Sequence, residues 1–410
     1  MTNSDPNCPC PVLTATQAIE TARALATEFA SGAAERDRHR QLPFGELDRL
    51  SASGLLAITV PAGYGGADLP PSVVAEVIRI LSAADPNVGQ IPHSHFVYVN
   101  LLRLAGSPDQ LQHYSQRLLA GARIANAQAE RTGPTAADVA TTLRPSGDGF
   151  RIDGTKYYCT GSLFAQILAV LTRLDDPDQT TGLTEGQYIA FLDADTPGVR
   201  IIDDWDGIGQ RTTGSGTIEF DGVRVDPSRV IARAAAVNAP TGYGAFAQLM
   251  HAAIDAGIAR GALESAAAFV REHSRPWFEA GVDRAADDPL LIQRFGELAV
   301  SVRAAEATLA AAGTAVDLAL RGGPGSAPER AAEASIAVAA AKTLADRSST
   351  EVSSALFELT GTRSTATHLG LDHFWRNART HTVHDPIRWK YQHIGRALLH
   401  GTPPPLHSAI

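Results

Sequence analysis

"GFRIDGTKYYCTG", residues 149–161, is the stretch on which the fold turns. Phe150 and Ile152 alternate with polar neighbours, Asp153-Gly154 is a tight-turn dipeptide, and Lys156-Tyr157-Tyr158 reads as the returning strand of a hairpin. Moving outward, "ILAVLTRL" (167–174), "YIAFLDAD" (188–195), "VRIIDDW" (199–205) and "GTIEFDGVRV" (216–225) are further short strands between turns. That spacing predicts a small antiparallel β-barrel or sandwich over 124–232.

Both flanks are helical. From 14 to 123, Thr14 or Thr16 caps a first helix, a short one ends near Gly54, and others cover 70–84 and 96–105. From 233 to 410, Phe246, Leu249, Met250, Ala253, Ile254, Gly257, Ile258 and Gly261 form one core stripe. Phe295, Leu298, Val302, Ala305, Leu309 and Val316 form a second. A third long helix over 328–360, after the connection 321–330, and a last one near 385–399 complete a predicted four-helix bundle. The class is α+β: a tail over 1–13, helices, a β module, then a bundle.

Composition excludes several functions. The net charge of −9 leaves no basic stripe for a nucleic-acid groove. No apolar run is long enough to span a bilayer, and the first residues lack a basic and an apolar leader region, so a cytoplasmic chain is expected. Cys8, Cys10 and Cys159 show no metal-ligand spacing, and no metal is expected. Gly242-Tyr243-Gly244-Ala245-Phe246-Ala247 matches G-x-G-x-x-A, but no strand precedes it, which excludes a Rossmann reading.

"RTHTVHDP" (379–386) holds the densest chemistry, with His381, His384 and Asp385 adjacent. The residues alone leave open a metal pair, a general base, or a polar stretch without chemistry. Pro386 disfavours helix at Asp385, which is expected to cap the last helix, with Pro386 at its first position. His381 reads equally as a structural histidine bonded to backbone. His93, His273, His368, His373, His393 and His407 read as surface or structural residues, and Cys159 as a small buried hydrophobe.

Five stretches in order resemble the acyl-CoA dehydrogenase fold: "VPAGYGG" (60–66), "GFRIDGTKYYCTG", "GIGQRTTGSGTIEFDGVRV" (207–225), "GIARGALESAAAFVREHSRPW" (257–277) and "FWRNARTHTVHDP" (374–386). The resemblance covers nearly the whole chain and implies a flavin between the β module and the bundle. Where the dehydrogenases carry Gln and paired glycines for the FAD diphosphate, this chain has "FELTGTRST" (357–365), with Glu358 and Thr362. That departure favours FMN over FAD, with Arg363 for its single phosphate. His384-Asp385-Pro386 stands where the dehydrogenase glutamate base is expected. The same letters look like the dibenzothiophene-desulfurising flavin monooxygenases and the related SfnB-type sulfur-acquisition oxidoreductases.

The resemblance implies reduced FMN from a separate NAD(P)H:flavin reductase, and a C4a-hydroperoxide that oxygenates a small organosulfur compound. It makes His384, Thr160 and His381 the catalytic candidates. Asn126, Tyr158, Thr160, Trp205, Arg275, Arg363 and His384 become the flavin contacts, with Arg363 supplied across a subunit interface of a homotetramer. His95, Asn126 and Trp205 would line the substrate cavity. Gln90 and Ser94 depart from the desulfurisation enzyme, so dibenzothiophene itself is not implied. Three alternatives stay open: an FAD acyl-CoA dehydrogenase with Asp385 as base, an amine N-oxygenase, and a flavin-free scaffold.

Overall fold

The computed structural model describes residues 10–135, 137–321 and 327–410. Cys8, most of the expected tail and the middle of the 321–330 connection lie outside them. Six helices come first: α1 (Ala15–His39), α2 (Phe44–Ala52), α3 (Pro71–Ala84), α4 (Pro86–Gln90), α5 (Pro92–Ala105) and α6 (Pro108–Leu119). Thr14 caps α1 through a reciprocal box with Gln17, and Ser107 caps α6 the same way with Gln110. The sequence reading missed α4 and α6 and began α5 four residues late, because prolines open all three helices, where they cost no hydrogen bond.

Eight strands follow: β1 (Ile124–Ala127), β2 (Thr142–Ser146), β3 (Gly149–Lys156), β4 (Ile167–Leu174), β5 (Gln187–Asp193), β6 (Val199–Ile202), β7 (Thr217–Val225) and β8 (Val230–Ala232). They form one sheet in the order β6-β7-β3-β2-β4-β5-β8, with β1 parallel on β4. Leu143, Ile152, Leu168, Val170, Ala190, Ile218 and Val223 share one core, so the sheet wraps as an open barrel whose end strands do not pair. Asp153-Gly154 is not a hairpin turn. It sits inside β3 at a bulge against β7, where Asp153 accepts a hydrogen bond from Gly222 N–H (2.9 Å). The turn lies earlier, at Gly147-Asp148, with Gly147 at φ +65°.

The chain then returns to helix: α7 (Ala234–Val237), α8 (Tyr243–His273), α9 (Pro289–Arg321), α10 (Ala327–Thr360), α11 (Asp372–His381) and α12 (Arg388–His400). Small side chains such as Ala252, Ala256, Ala334 and Ala341 are fully buried, which lets α8 and α10 pack closely, with α9 and α12 completing a four-helix bundle. The first glycine of the G-x-G-x-x-A match is the left-handed N-cap of α8 (Gly242, φ +74°). The second, Gly244, lies against the carbonyl oxygen of His407, where any side chain would collide. The helix expected near 385–399 is α12, and α11 before it is an additional helix that the sequence reading did not anticipate.

Candidate active site

Two polar clusters meet along α5. On the barrel side, Ser94 of α5 donates to Asn126 Oδ1 of β1 (3.0 Å), and Asn126 Nδ2 approaches the carbonyl of Tyr158 (3.4 Å). Tyr158 is held at φ +59°, a conformation rare for an aromatic residue, and its ring meets Trp205 edge-on at 6.1 Å. Trp205 Nε1–H donates to Gln210 O (2.7 Å), which fixes the indole. Thr160 Oγ1 lies 2.8 Å from Ser215 Oγ, and Ser215 bonds onward to Thr213 (2.6 Å). An aromatic wall thus stands beside an amide and a hydroxyl relay.

The residue next to Ser94, His93, opens the second cluster. Its ring stacks on His251 of α8 at 4.0 Å, and His251 stacks on His384 at 4.1 Å, giving a column of three imidazoles. His384 lies in the turn after α11 and is half-exposed. Its Nδ1 is 3.4 Å from Asp385 Oδ1, and Asp385 Oδ2 is 3.0 Å from Lys390 Nζ. Beneath the column, His381 Nδ1–H donates to Asp255 Oδ1 (2.5 Å), while Lys342 Nζ donates to Asp255 Oδ2 (2.9 Å). His381 Nε2 lies 3.0 Å from His251 Nδ1.

Burial dominates the electrostatics. It pushes the His93 imidazole down to about 3 and His251 well below the usual value, with the neighbouring imidazoles adding to both. It also lowers His381, although Asp255 opposes it. Burial alone would raise the Asp255 carboxyl, but His381 and Lys342 outweigh it and keep the group ionised. Asp385 is likewise held far below the carboxylate range by His384, Lys342 and Lys390, against its burial. Asp346 goes the other way, up to about 6, through burial and the nearby Asp255.

Several expectations need correction. His95 does not line a substrate cavity: Nδ1 accepts from Ile124 N–H (3.1 Å) and Nε2–H donates to Leu56 O (2.7 Å). The hollow it borders measures about 10 Å³, room for little more than one water. Asp385 caps no helix, since α12 starts at Arg388 after Ile387, and its carboxylate is spent on Lys390 and His384. His381 bonds side chains rather than backbone, and His93 belongs to the imidazole column as well as donating to Ala247 O (3.0 Å). Asn126, Tyr158, Thr160 and Trp205 are brought together on the barrel, and His381 and His384 on the bundle.

Arg275 and Arg363 are placed elsewhere. Arg363 donates to His273 O (2.7 Å), two residues before Arg275, beyond the C-terminal end of α8. His251 lies 22 residues earlier on that helix, about 33 Å away at 1.5 Å per residue. Both arginines are exposed.

His251, Asp255 and Lys342 escaped the sequence reading. The signal was there: Asp255 and Lys342 fall on the apolar faces of long alanine-rich helices, where a charge survives only with a partner. A cleft of about 580 Å³ between α12 and the C-terminal segment shares Asp385 and Lys390 with the site and is further walled by Trp389, His393, Pro404 and His407. Among the described residues, no group of three His, Cys, Asp or Glu side chains is arranged to hold a metal ion.

Known proteins agree with this architecture. Family models match in chain order: acyl-CoA dehydrogenase N-terminal domain (14–122), middle domain (127–223) and C-terminal domain (249–389). A dibenzothiophene monooxygenase of Rhodococcus qingshengii is 33% identical over 397 residues, covering 94% of each chain. The crystal structure of FMN-bound TdsC from Paenibacillus sp. A11-2 superposes with a TM-score of 0.90 at 31% identity, over 96% of this chain and 100% of that one. Methanesulfinate monooxygenase MsuC from Pseudomonas fluorescens gives 0.87 at 31% identity, over 96% and 99%.

Proposed function

The chain belongs to the acyl-CoA dehydrogenase family, in its flavin-dependent monooxygenase branch, and from that premise we propose an FMNH2-dependent oxygenase of small organosulfur compounds. The observation that carries this reading is the inversion of roles at His384-Asp385. A dehydrogenase needs an available carboxylate base, yet Asp385 is buried and ion-paired with Lys390, whereas the imidazole beside it is half-exposed.

The residues present fit FMN. Reduced FMN, when bound, would supply the two electrons that activate O2, so that one oxygen atom of O2 passes to sulfur and the other leaves as water. Tyr158 and Trp205 offer an aromatic wall, Asn126 and Thr160 polar partners at its edge, and His384 a half-exposed imidazole with two ring nitrogens for proton exchange. FMN suits the chain better than FAD. Glu358 sits at the end of α10 facing Arg294 (3.5 Å), and Gly361 is followed by Thr362 where a diphosphate would need close backbone approach.

The phosphate grip points to an assembly. Arg275 and Arg363 lie farther from His251 than an FMN molecule reaches, so they serve a flavin held by another copy of the chain. Exposed Trp277 and Phe278 beside Arg275 support an interface there. A cytoplasmic homotetramer supplied with reduced flavin by a separate reductase is the arrangement we infer.

Purified protein, a flavin reductase, NADH and O2, tested on sulfides, sulfones, sulfinates and amines, should yield oxygenated sulfur compounds with FMN as cofactor. Tight retention of FAD, or turnover of an acyl-CoA, would return the chain to the dehydrogenases. Turnover of amines alone would make it an N-oxygenase. Arg363→Ala should weaken FMN binding at least about tenfold, since a charge-assisted phosphate bond contributes about 1.5–3 kcal/mol. Fluorescence titration of FMN measures this, and an unchanged Kd removes Arg363 from the phosphate site.

A further inference from the structure

Two His-Asp-Lys sets stand side by side in this molecule, and one imidazole touches both. In the buried set, Asp255 accepts from His381 Nδ1–H and from Lys342. In the outer set, Asp385 lies against His384 Nδ1 and pairs with Lys390. His251 is hydrogen-bonded to His381 of the first and stacked on His384 of the second.

Proton positions in the buried set follow from elimination. A carboxylate only accepts, so the proton facing Asp255 is on His381 Nδ1. Neutral His381 then has a lone pair on Nε2, and the neighbouring Nδ1 of His251 must carry the hydrogen. The tautomer of His251 is thereby fixed from Lys342 through Asp255 and His381. Among the described residues His251 Nε2 has no protein donor, so this chain of bonds ends there.

We propose that Lys342, Asp255, His381 and His251 are positioning residues for His384: a locked neutral imidazole seats its ring, and the balanced buried ion pair beneath sets how readily it takes a proton. This rests on the reading of His384 given above. The hydrogen bond to Asp385 is long at 3.4 Å and leaves orientation largely to the ring stack. The groups that act on His384 are His93 from α5, His251 from α8, His381 from α11 and Asp385; Lys342 and Lys390 act on Asp385, and Asp346 lies near Asp255, Lys342, Arg379 and Asp385. Beneath them, the charges of Asp255 and Lys342 cancel only while both are present.

The test needs no flavin, so it stands apart from any failure of the oxygenase reading. Carbethoxylation of His384 by diethyl pyrocarbonate, followed against pH by peptide mass spectrometry on the cofactor-free protein, reports the neutral imidazole. Asp255→Asn leaves Lys342 uncompensated and should move the midpoint down by about half a pH unit or more; Lys342→Met should move it up. The double variant should return it to the wild-type position. His251→Ala should raise the high-pH rate severalfold by unseating the ring. Equal midpoints in both single variants, or shifts of one sign, would overturn the proposal, provided His251 and His381 stay unmodified as buried residues do.

If the single variants unfold, the wild-type protein still decides. Its histidine ¹⁵N spectrum, with the His251 signal identified by subtracting that of His251→Phe, should show His251 as the neutral Nδ1–H tautomer. An Nε2–H or cationic His251 sinks the idea.

Discussion

His384→Ala should leave the fold and FMN affinity close to wild type while cutting sulfur oxygenation by about 10²–10⁴-fold, the usual contribution of a positioned acid–base group. Hydrogen peroxide should account for the missing product, measured against NADH consumed. The structural reasons are specific. His384 is half-exposed in a turn and carries one long hydrogen bond, so little stability depends on it. The packing it loses is a single ring face on His251. Asp385 and Lys390 remain paired without it. An imidazole also cannot be replaced there by Asp385, whose carboxyl is held ionised and has no proton to give near neutral pH. Unchanged coupling of NADH to product in this variant would remove His384 from the chemistry.

What could be read from the letters, and what could not, divides along physical lines. Strands such as Ile167–Leu174 were legible because an apolar run bounded by turn residues has few other solutions. Asp153-Gly154 was misread because the dipeptide suits a bulge as well as a turn. The choice was made by Gly222 N–H on the neighbouring strand, not by anything local. At the site, the resemblance drew attention to His384, but the column that holds it joins residues 130 positions apart (His251 and His381) and 87 apart (Asp255 and Lys342). Helical periodicity puts Asp255 and Lys342 on buried faces without saying that they meet. His95 failed for the opposite reason: its ring nitrogens are consumed by two backbone groups that no pattern around "PHSHF" reveals.

The buried histidines also predict acid lability. His95, His251 and His381 are each almost completely buried and each lowered by that burial, His95 to about 4 from an ordinary 6.5. In the unfolded chain all three return to about 6.5. Between the folded and unfolded values the unfolded state binds more protons, so stability rises with pH and is lost as pH falls below about 6.5. The loss continues down to each folded value, hence to about 4 for His95. Asp255, whose folded value is depressed, adds nothing in this window, because its contribution persists until pH falls below its ordinary 3.8. His95 and His251 each contribute about 1.4 kcal/mol per pH unit, roughly 4 kcal/mol together by pH 5, and His381 adds in the same direction. At about 1 °C per kcal/mol for a chain of 410 residues, the thermal midpoint should fall by roughly 5 °C between pH 7.5 and 5. Scanning calorimetry at one heating rate would show it. His95→Gln offers the control: an amide has an acceptor for Ile124 N–H and a donor for Leu56 O but does not titrate, so the part of the slope due to His95 should vanish. A midpoint that stays level from pH 7 to 5 would mean that these imidazoles are already protonated in the fold.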